Sequence, residues 1–151
     1  MFFPSEFRLA GVLQTIVINL KNIQKMKKQI EKTTEITETE QKQFEEKAKE
    51  LARKYGVSKV HVYAGIEPET NERIVGYLKE PSYLQKLMAM DKIHSVGVFM
   101  ASNDLREAIT IKEESHPLTY GEGFECDSYK LGMSTTCIPI IEIIQNSFKK
   151  K

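Results

Sequence analysis

The sequence lacks an excess of charge of either sign. Lysine and arginine together number 22 against 21 acidic residues, and the formal net charge is +1. A dedicated nucleic-acid-binding protein usually carries a basic face and a high isoelectric point. The balanced charge therefore gives no reason to expect a nucleic-acid partner.

The sequence also lacks the short motifs that are typical of common enzyme classes. His61, His94 and His116 are scattered, and none has a second histidine at the helical spacing that a metal site uses. The sequence has no Walker loop and no GxGxxG, and the lone Gly121-Glu122-Gly123 lies among acids that would repel a phosphate. We therefore expect a non-enzymatic protein with no cofactor and no bound metal.

Cysteine is scarce. Cys126 and Cys137 fit neither a metal-ligand pattern nor a redox CxxC motif. Their spacing permits a disulfide, but we interpret them as reduced, partly buried thiols of a cytoplasmic protein. The sequence leaves their redox state open.

The chain has no long hydrophobic run. Residues 9–20 are mostly apolar but include Gln14, Thr15 and Asn19, and spanning a bilayer takes about twenty apolar residues. A signal peptide is disfavoured by the acidic Glu6 and by the lack of a small-x-small cleavage site. We expect neither a signal peptide nor a membrane partner.

The first 25 residues allow two interpretations. Met26-Lys27-Lys28 resembles an ordinary bacterial protein start, so residues 1–25 would be translated upstream sequence. Alternatively, they form a short helix or strand that docks on the body.

With 151 residues and 40% hydrophobic content, the chain can build one core. We predict a leader over residues 1–36 and a single compact domain over residues 37–151.

The remaining sequence is organised around residues 73–85, RIVGYLKEPSYLQ. The residues of Arg73–Lys79 suit a pleated, half-buried strand, in which Gly76 is the weak position. Pro81 ends the strand, and Ser82 with Gln85 has the spacing of a capping box that begins a helix. This pattern predicts a sharp strand-to-helix corner.

A second strand precedes this corner. Residues 57–66 alternate in polarity, and residues 67–72 contain the turn formers Pro68 and Asn71. The two strands should form an antiparallel hairpin that lies on helices, because a two-stranded sheet alone is marginal in water. We predict an α+β fold, mostly helical, with about four helices packed on this hairpin.

The segment GYLKEPSYLQKLMAM resembles a strand-to-helix stretch of the small tailed-phage and prophage proteins described as tail assembly chaperones. The resemblance covers approximately residues 54–148. It implies a protein that binds the tape-measure or tail-tube protein in the host cytoplasm and leaves before the particle is complete. The alternative that we keep is a small structural virion protein of the head or neck.

Two helices flank the hairpin in the sequence. The first should begin with a capping box of Thr37 and Glu40 and end at Gly56. The helix after Ser82 should break within residues 91–97, with Ser95 as a new N-cap. The apolar positions are Phe44, Ala48, Leu51, Ala52 and Tyr55 in the first helix, and Leu84, Leu87 and Met88 in the second.

Two more helices follow. One is predicted over residues 96–112, with a kink or interruption at residues 102–104. The other should be capped by Asp127 and split after Ile138 by Pro139. Its isoleucines suggest burial on more than one side, and a second copy of the chain is a candidate for part of that cover. The predicted apolar faces are Val98, Ala101, Leu105, Ala108 and Ile109, then Leu131, Ile138, Ile141 and Phe148.

The longest predicted loop spans residues 113–126 and is rich in glutamate. Long ordered loops usually have a role, so this loop is the candidate partner-contact surface. A solvated acidic connector is the competing interpretation. The candidate contact residues are Glu113, Glu114, Tyr120, Glu122, Phe124 and Glu125.

Overall fold

The structure is a computed structural model that describes residues 19–25, 35–143 and 146–149. The chain divides into two units, Met1–Thr37 and Glu38–Lys151. The described residues of the second unit form helix α1, strands β1 and β2, helices α2 to α4 and three single 3₁₀ turns. In chain order these are α1 Glu38–Tyr55, β1 Val60–Ile66, β2 Arg73–Lys79, α2 Tyr83–Val96, α3 Val98–Ile109, the turns Pro117–Thr119 and Phe124–Cys126, α4 Asp127–Cys137 and the turn Pro139–Ile141.

Of the first unit, the structure describes residues 19–25, which are helical, and residues 35–37. Met26 and most of the apolar run lie outside the described residues, so the position of the start remains a prediction. Among the described residues, none of the helices combines the length and the apolar character that crossing a membrane requires.

The predicted hairpin is confirmed. β1 and β2 pair antiparallel, from Val60 opposite Lys79 to Ile66 opposite Arg73. The turn between them closes with the Glu67 amide donating to the Glu72 carbonyl at 2.8 Å, and Asn71 has a φ of 56°. Asparagine tolerates this left-handed conformation better than most residues. The α+β, mostly helical fold that the sequence predicts is therefore the fold of the protein.

The strand-to-helix corner is confirmed as well. The Gln85 amide donates to the Ser82 hydroxyl at 3.2 Å, and the Ser82 amide donates to the Gln85 side-chain oxygen at 2.9 Å. These reciprocal bonds satisfy two of the orphan N–H groups at the start of α2. Pro81 is buried at the corner.

The strands separate two apolar clusters. Leu78 packs with residues of α2, α3, α4 and the last 3₁₀ turn. Tyr77, its neighbour on β2, packs with Ala48 and Leu51 of α1. Successive side chains of a strand point to opposite faces, so β2 contributes to both clusters and is buried on both sides.

Close packing explains why glycine occupies position 76 of β2. A Cβ at this position would lie 2.5 Å from the sulfur of Met133, which is fully buried on α4. Glycine in a strand often marks such a close approach. The weak strand former that the sequence contains is therefore the position over which α4 packs.

The outer edge of β2 is also covered. Leu78 forms a bridge with Thr110, the Ile111 amide donates to the Tyr77 carbonyl at 2.9 Å, and the His116 amide donates to the Val75 carbonyl at 2.9 Å. The Tyr77 amide donates to the Ser115 hydroxyl at 2.9 Å. The segment 110–116 thus satisfies backbone groups that would otherwise stay open on an edge strand.

The helix boundaries differ from the prediction in the middle of the chain. α2 continues through Ser95, which is not an N-cap because its hydroxyl donates to the Lys92 carbonyl. The break occurs at Gly97, whose φ of 95° is accessible chiefly to glycine. α3 is shorter than predicted and is continuous through residues 102–104, because its apolar face is anchored by the core.

The last helix is partly as predicted. It ends at Cys137, and Pro139 starts a separate 3₁₀ turn, which confirms the split. The Asp127 prediction was wrong, because Cys126 occupies the N-cap and Asp127 is already helical. Leu131 and Phe148 are exposed and do not share the buried face of Ile141.

The exposure of two nearby isoleucines makes a direct test of this core. Ile141 is 6% exposed and Ile143 is 68% exposed. Ile141→Asp places an unpaired charge in the core and should lower the free energy of unfolding by about 3 kcal/mol or more. Ile143→Asp is the matched control and should change it by no more than about 0.5 kcal/mol. Urea denaturation measures both, and equal stabilities would show that the core is misplaced.

Candidate functional site

The acidic loop is held against α1 by one of its glutamates. The Glu114 carboxylate contacts Lys54 Nζ at 3.0 Å and Lys47 Nζ at 3.4 Å. The hydrogen bond from Lys54 lowers the pKa of Glu114 below its ordinary value. Glu114 therefore has a structural contact inside the domain, which the sequence did not indicate because its partners are about sixty residues away.

The other candidate residues of the loop have different surroundings. Glu113, Glu122 and Glu125 are exposed, and the ring of Phe124 is almost fully exposed on its 3₁₀ turn. Tyr120 is half-buried, and Lys112 Nζ lies 5.8 Å from the centre of its ring. Exposed residues of the loop are accessible to a partner, and their role in partner contact stays a prediction.

Several large apolar side chains are exposed on α2 and α3. Leu84 and Met88 are 66% and 63% exposed, and Leu87 and Met100 are also exposed. Leu84, Leu87 and Met88 have the three- and four-residue spacing that places side chains along one side of a helix. We name these four residues, Leu84, Leu87, Met88 and Met100, the helix-pair surface.

One residue of the helix-pair surface, Met88, lines a groove between the two helices. Met88 and Ala89 line it from α2, and Ala101 and Leu105 line it from α3. The groove has a volume of about 170 Å³ and is mostly apolar, with Lys92 and Asp104 forming an ion pair at its wall. The sequence contained the apolar residues of this surface, but their spacing alone did not reveal that they face outward.

One cluster of titratable side chains lies at the strand-to-helix corner. Glu80 contacts His61 Nε2 on β1 with one oxygen and Lys86 Nζ on α2 at 2.6 Å with the other. Burial alone would raise the pKa of Glu80, but the hydrogen bonds from Lys86 and His61 outweigh it and leave the pKa below its ordinary value. The cluster ties the hairpin to α2.

The two cysteines are buried thiols. Cys126 and Cys137 are free and buried, and burial raises the pKa of Cys137 to about 11. A thiol with a raised pKa is a poor nucleophile at neutral pH. Within the described ranges, no three histidine, cysteine or acidic side chains come together as a metal site would require.

Comparison with known proteins adds no relative. No family model matches the chain, and none of the curated proteins or solved structures matches it. The residues themselves and the resemblance of the stretch around Pro81 are therefore the basis for a proposed function.

The cluster at the corner predicts an acid-dependent contribution to stability. The pKa of Glu80 is lower in the folded state than its ordinary value of 4.5. Ionised Glu80 therefore adds to the free energy of unfolding above pH 4.5, and this stabilisation is lost as the pH falls through the folded-state pKa. Below pH 4.5, the free energy of unfolding should fall less steeply in Glu80→Gln than in the wild type.

Lys86→Gln removes one partner of Glu80 and should flatten the same profile. Urea denaturation across the acidic range measures the three proteins. Identical profiles in all of them would contradict the role of this cluster.

Proposed function

We propose that this protein is a non-enzymatic assembly factor of the tail assembly chaperone kind, which binds a tape-measure or tail-tube protein in the cytoplasm of the host cell. The resemblance of the stretch around Pro81 implies this function. The observation that carries a protein-binding role is the helix-pair surface, where four large apolar side chains are exposed and one of them, Met88, lines an apolar groove.

Exposed apolar side chains that lie close together usually have a binding role. Scattered apolar residues are normal on a protein surface, but a contiguous patch marks a place of contact. Met88 and Met100 add flexible, polarisable side chains, which adapt to differently shaped apolar partners. A surface of this kind suits the apolar face of a client helix, bound at the groove between α2 and α3.

The same surface explains how such a factor could keep a client soluble. A client that has not yet assembled exposes apolar helices or strand edges that would otherwise associate with each other. Covering these surfaces removes apolar area from water, which stabilises the complex by about 25 cal/mol for each Å² that is buried. The exposed acids of the loop would add charge to the complex and oppose its aggregation.

A pair of leucines tests the assignment. Leu84 lies on the helix-pair surface, whereas Leu131 on α4 has a similar exposure of 69%. Leu84→Asp should weaken binding of the tape-measure or tail-tube protein from the same genome by about tenfold or more, because a buried apolar contact becomes a buried charge. Leu131→Asp should bind as the wild type does.

The measurement is calorimetric titration, together with the soluble fraction of the client on co-expression. Both variants should keep the thermal stability of the wild type, since both side chains are exposed. Equal binding by the two variants would contradict the proposed surface.

The composition of purified particles tests the wider proposal. An assembly factor leaves before the particle is complete and should be missing from mass spectra of purified virions. Its presence at a fixed copy number would overturn the proposal in favour of a structural head or neck protein.

A further inference from the structure

A second site lies between α3, α4 and the acidic loop, around Arg106. Arg106 is only 2% exposed, although arginine is almost never fully buried without a charged partner. The guanidinium group donates to Asn103 Oδ1 at 3.0 Å and to the Thr119 carbonyl at 3.5 Å. Both acceptors are neutral, and the second contact is long.

The charge of Arg106 is therefore poorly compensated. The Glu107 carboxylate lies 3.5 Å from Nη2, whereas a strong pair of this kind is about 2.7–2.9 Å long, and the Glu107 side chain is largely exposed. Within the part of the chain that the structure describes, the buried Nε has no hydrogen-bond partner. Burial lowers the pKa of Arg106, as expected for a cation that its surroundings solvate poorly.

Arg106 lines a polar cavity of about 260 Å³. Lys112, which follows α3, and Lys130 of α4 line the same cavity, so three cations face a shared space. Glu107 and Glu122 also lie on its wall, and cationic side chains still outnumber carboxylates there. The volume is below the range of about 300–1,000 Å³ that is typical for drug-sized ligands, and it suits a small group.

We propose that this cavity binds an oxyanion group, a carboxylate or a phosphate, through Arg106, Lys112 and Lys130. A buried guanidinium with a free N–H is suited to an oxyanion, because its planar fork donates to two oxygens at once. The ligand would complete the hydrogen bonding of Arg106 and neutralise its charge. Lys112 and Lys130 would contribute further positive charge at the cavity wall.

Two residues of the acidic loop also line this cavity. They are Tyr120 and Glu122, which line it together with residues of α3 and α4. The cavity is thus built from three consecutive segments of the chain, which are the end of α3, the acidic loop and α4. This inference is independent of the proposed assembly function, because its residues are not those of the helix-pair surface.

The test uses inorganic phosphate and acetate as separate probes on the full-length protein. The Nε–H group of Arg106 gives its own signal in a ¹⁵N correlation spectrum, and its shift is followed at constant ionic strength. The signal should move in a saturable way with phosphate, with acetate or with both, and the active probe identifies the class of oxyanion. A signal that neither probe moves would overturn the proposal.

The lysines supply matched variants, because removing them leaves the buried arginine in place. The double variant Lys112→Gln, Lys130→Gln should bind the active probe at least about tenfold more weakly, since it loses two charge-assisted contacts. Lys49→Gln changes an exposed lysine that does not line the cavity and should bind as the wild type does. Equal affinity in the double variant and the control would also overturn the proposal.

Discussion

The hydrogen-bonding groups of β2 have to be satisfied on both edges, and much of the fold follows from this requirement. β1 supplies one edge through the antiparallel hairpin, and the segment after α3 supplies the other through Ile111, Ser115 and His116. An unpaired backbone group that is buried costs free energy comparable to a lost hydrogen bond. A strand as deeply buried as β2 therefore needs a partner on each side.

Covering β2 on both edges also explains why the chain needs its acidic loop. The loop begins as a partner of β2, continues through two 3₁₀ turns and leads into α4, whose Met133 packs over Gly76. Glu114 fastens the same segment to α1 through Lys47 and Lys54. The length of this loop thus has a structural cause, and its exposed residues remain available for contact with a partner.

Local signals in the sequence predicted the hairpin, the corner at Pro81 and the split at Pro139. Each of these depends on residues within a few positions of one another, such as Ser82 with Gln85. The sequence did not predict the end of α2 at Gly97, because a serine that could cap a helix lies just before it. Nor did it predict the burial of Arg106 or the exposure of Leu84, which are decided by packing between distant elements.

The two proposed sites occupy different parts of this arrangement. The helix-pair surface is the side of α2 and α3 that the core does not use, while the cavity at Arg106 lies where α3, α4 and the loop meet. The first would act by covering apolar surface and the second by pairing charge. Neither the helix-pair surface nor the cavity at Arg106 includes a residue of β2.

Native-state hydrogen exchange tests the central claim most directly. If the segment after α3 is an integral partner of β2, the Ile111 and His116 amides should exchange only through global unfolding, with the same free energy of opening as the amides shared by β1 and β2. Exchange of these two amides at the rate of an exposed loop, while the hairpin stays protected, would contradict the account.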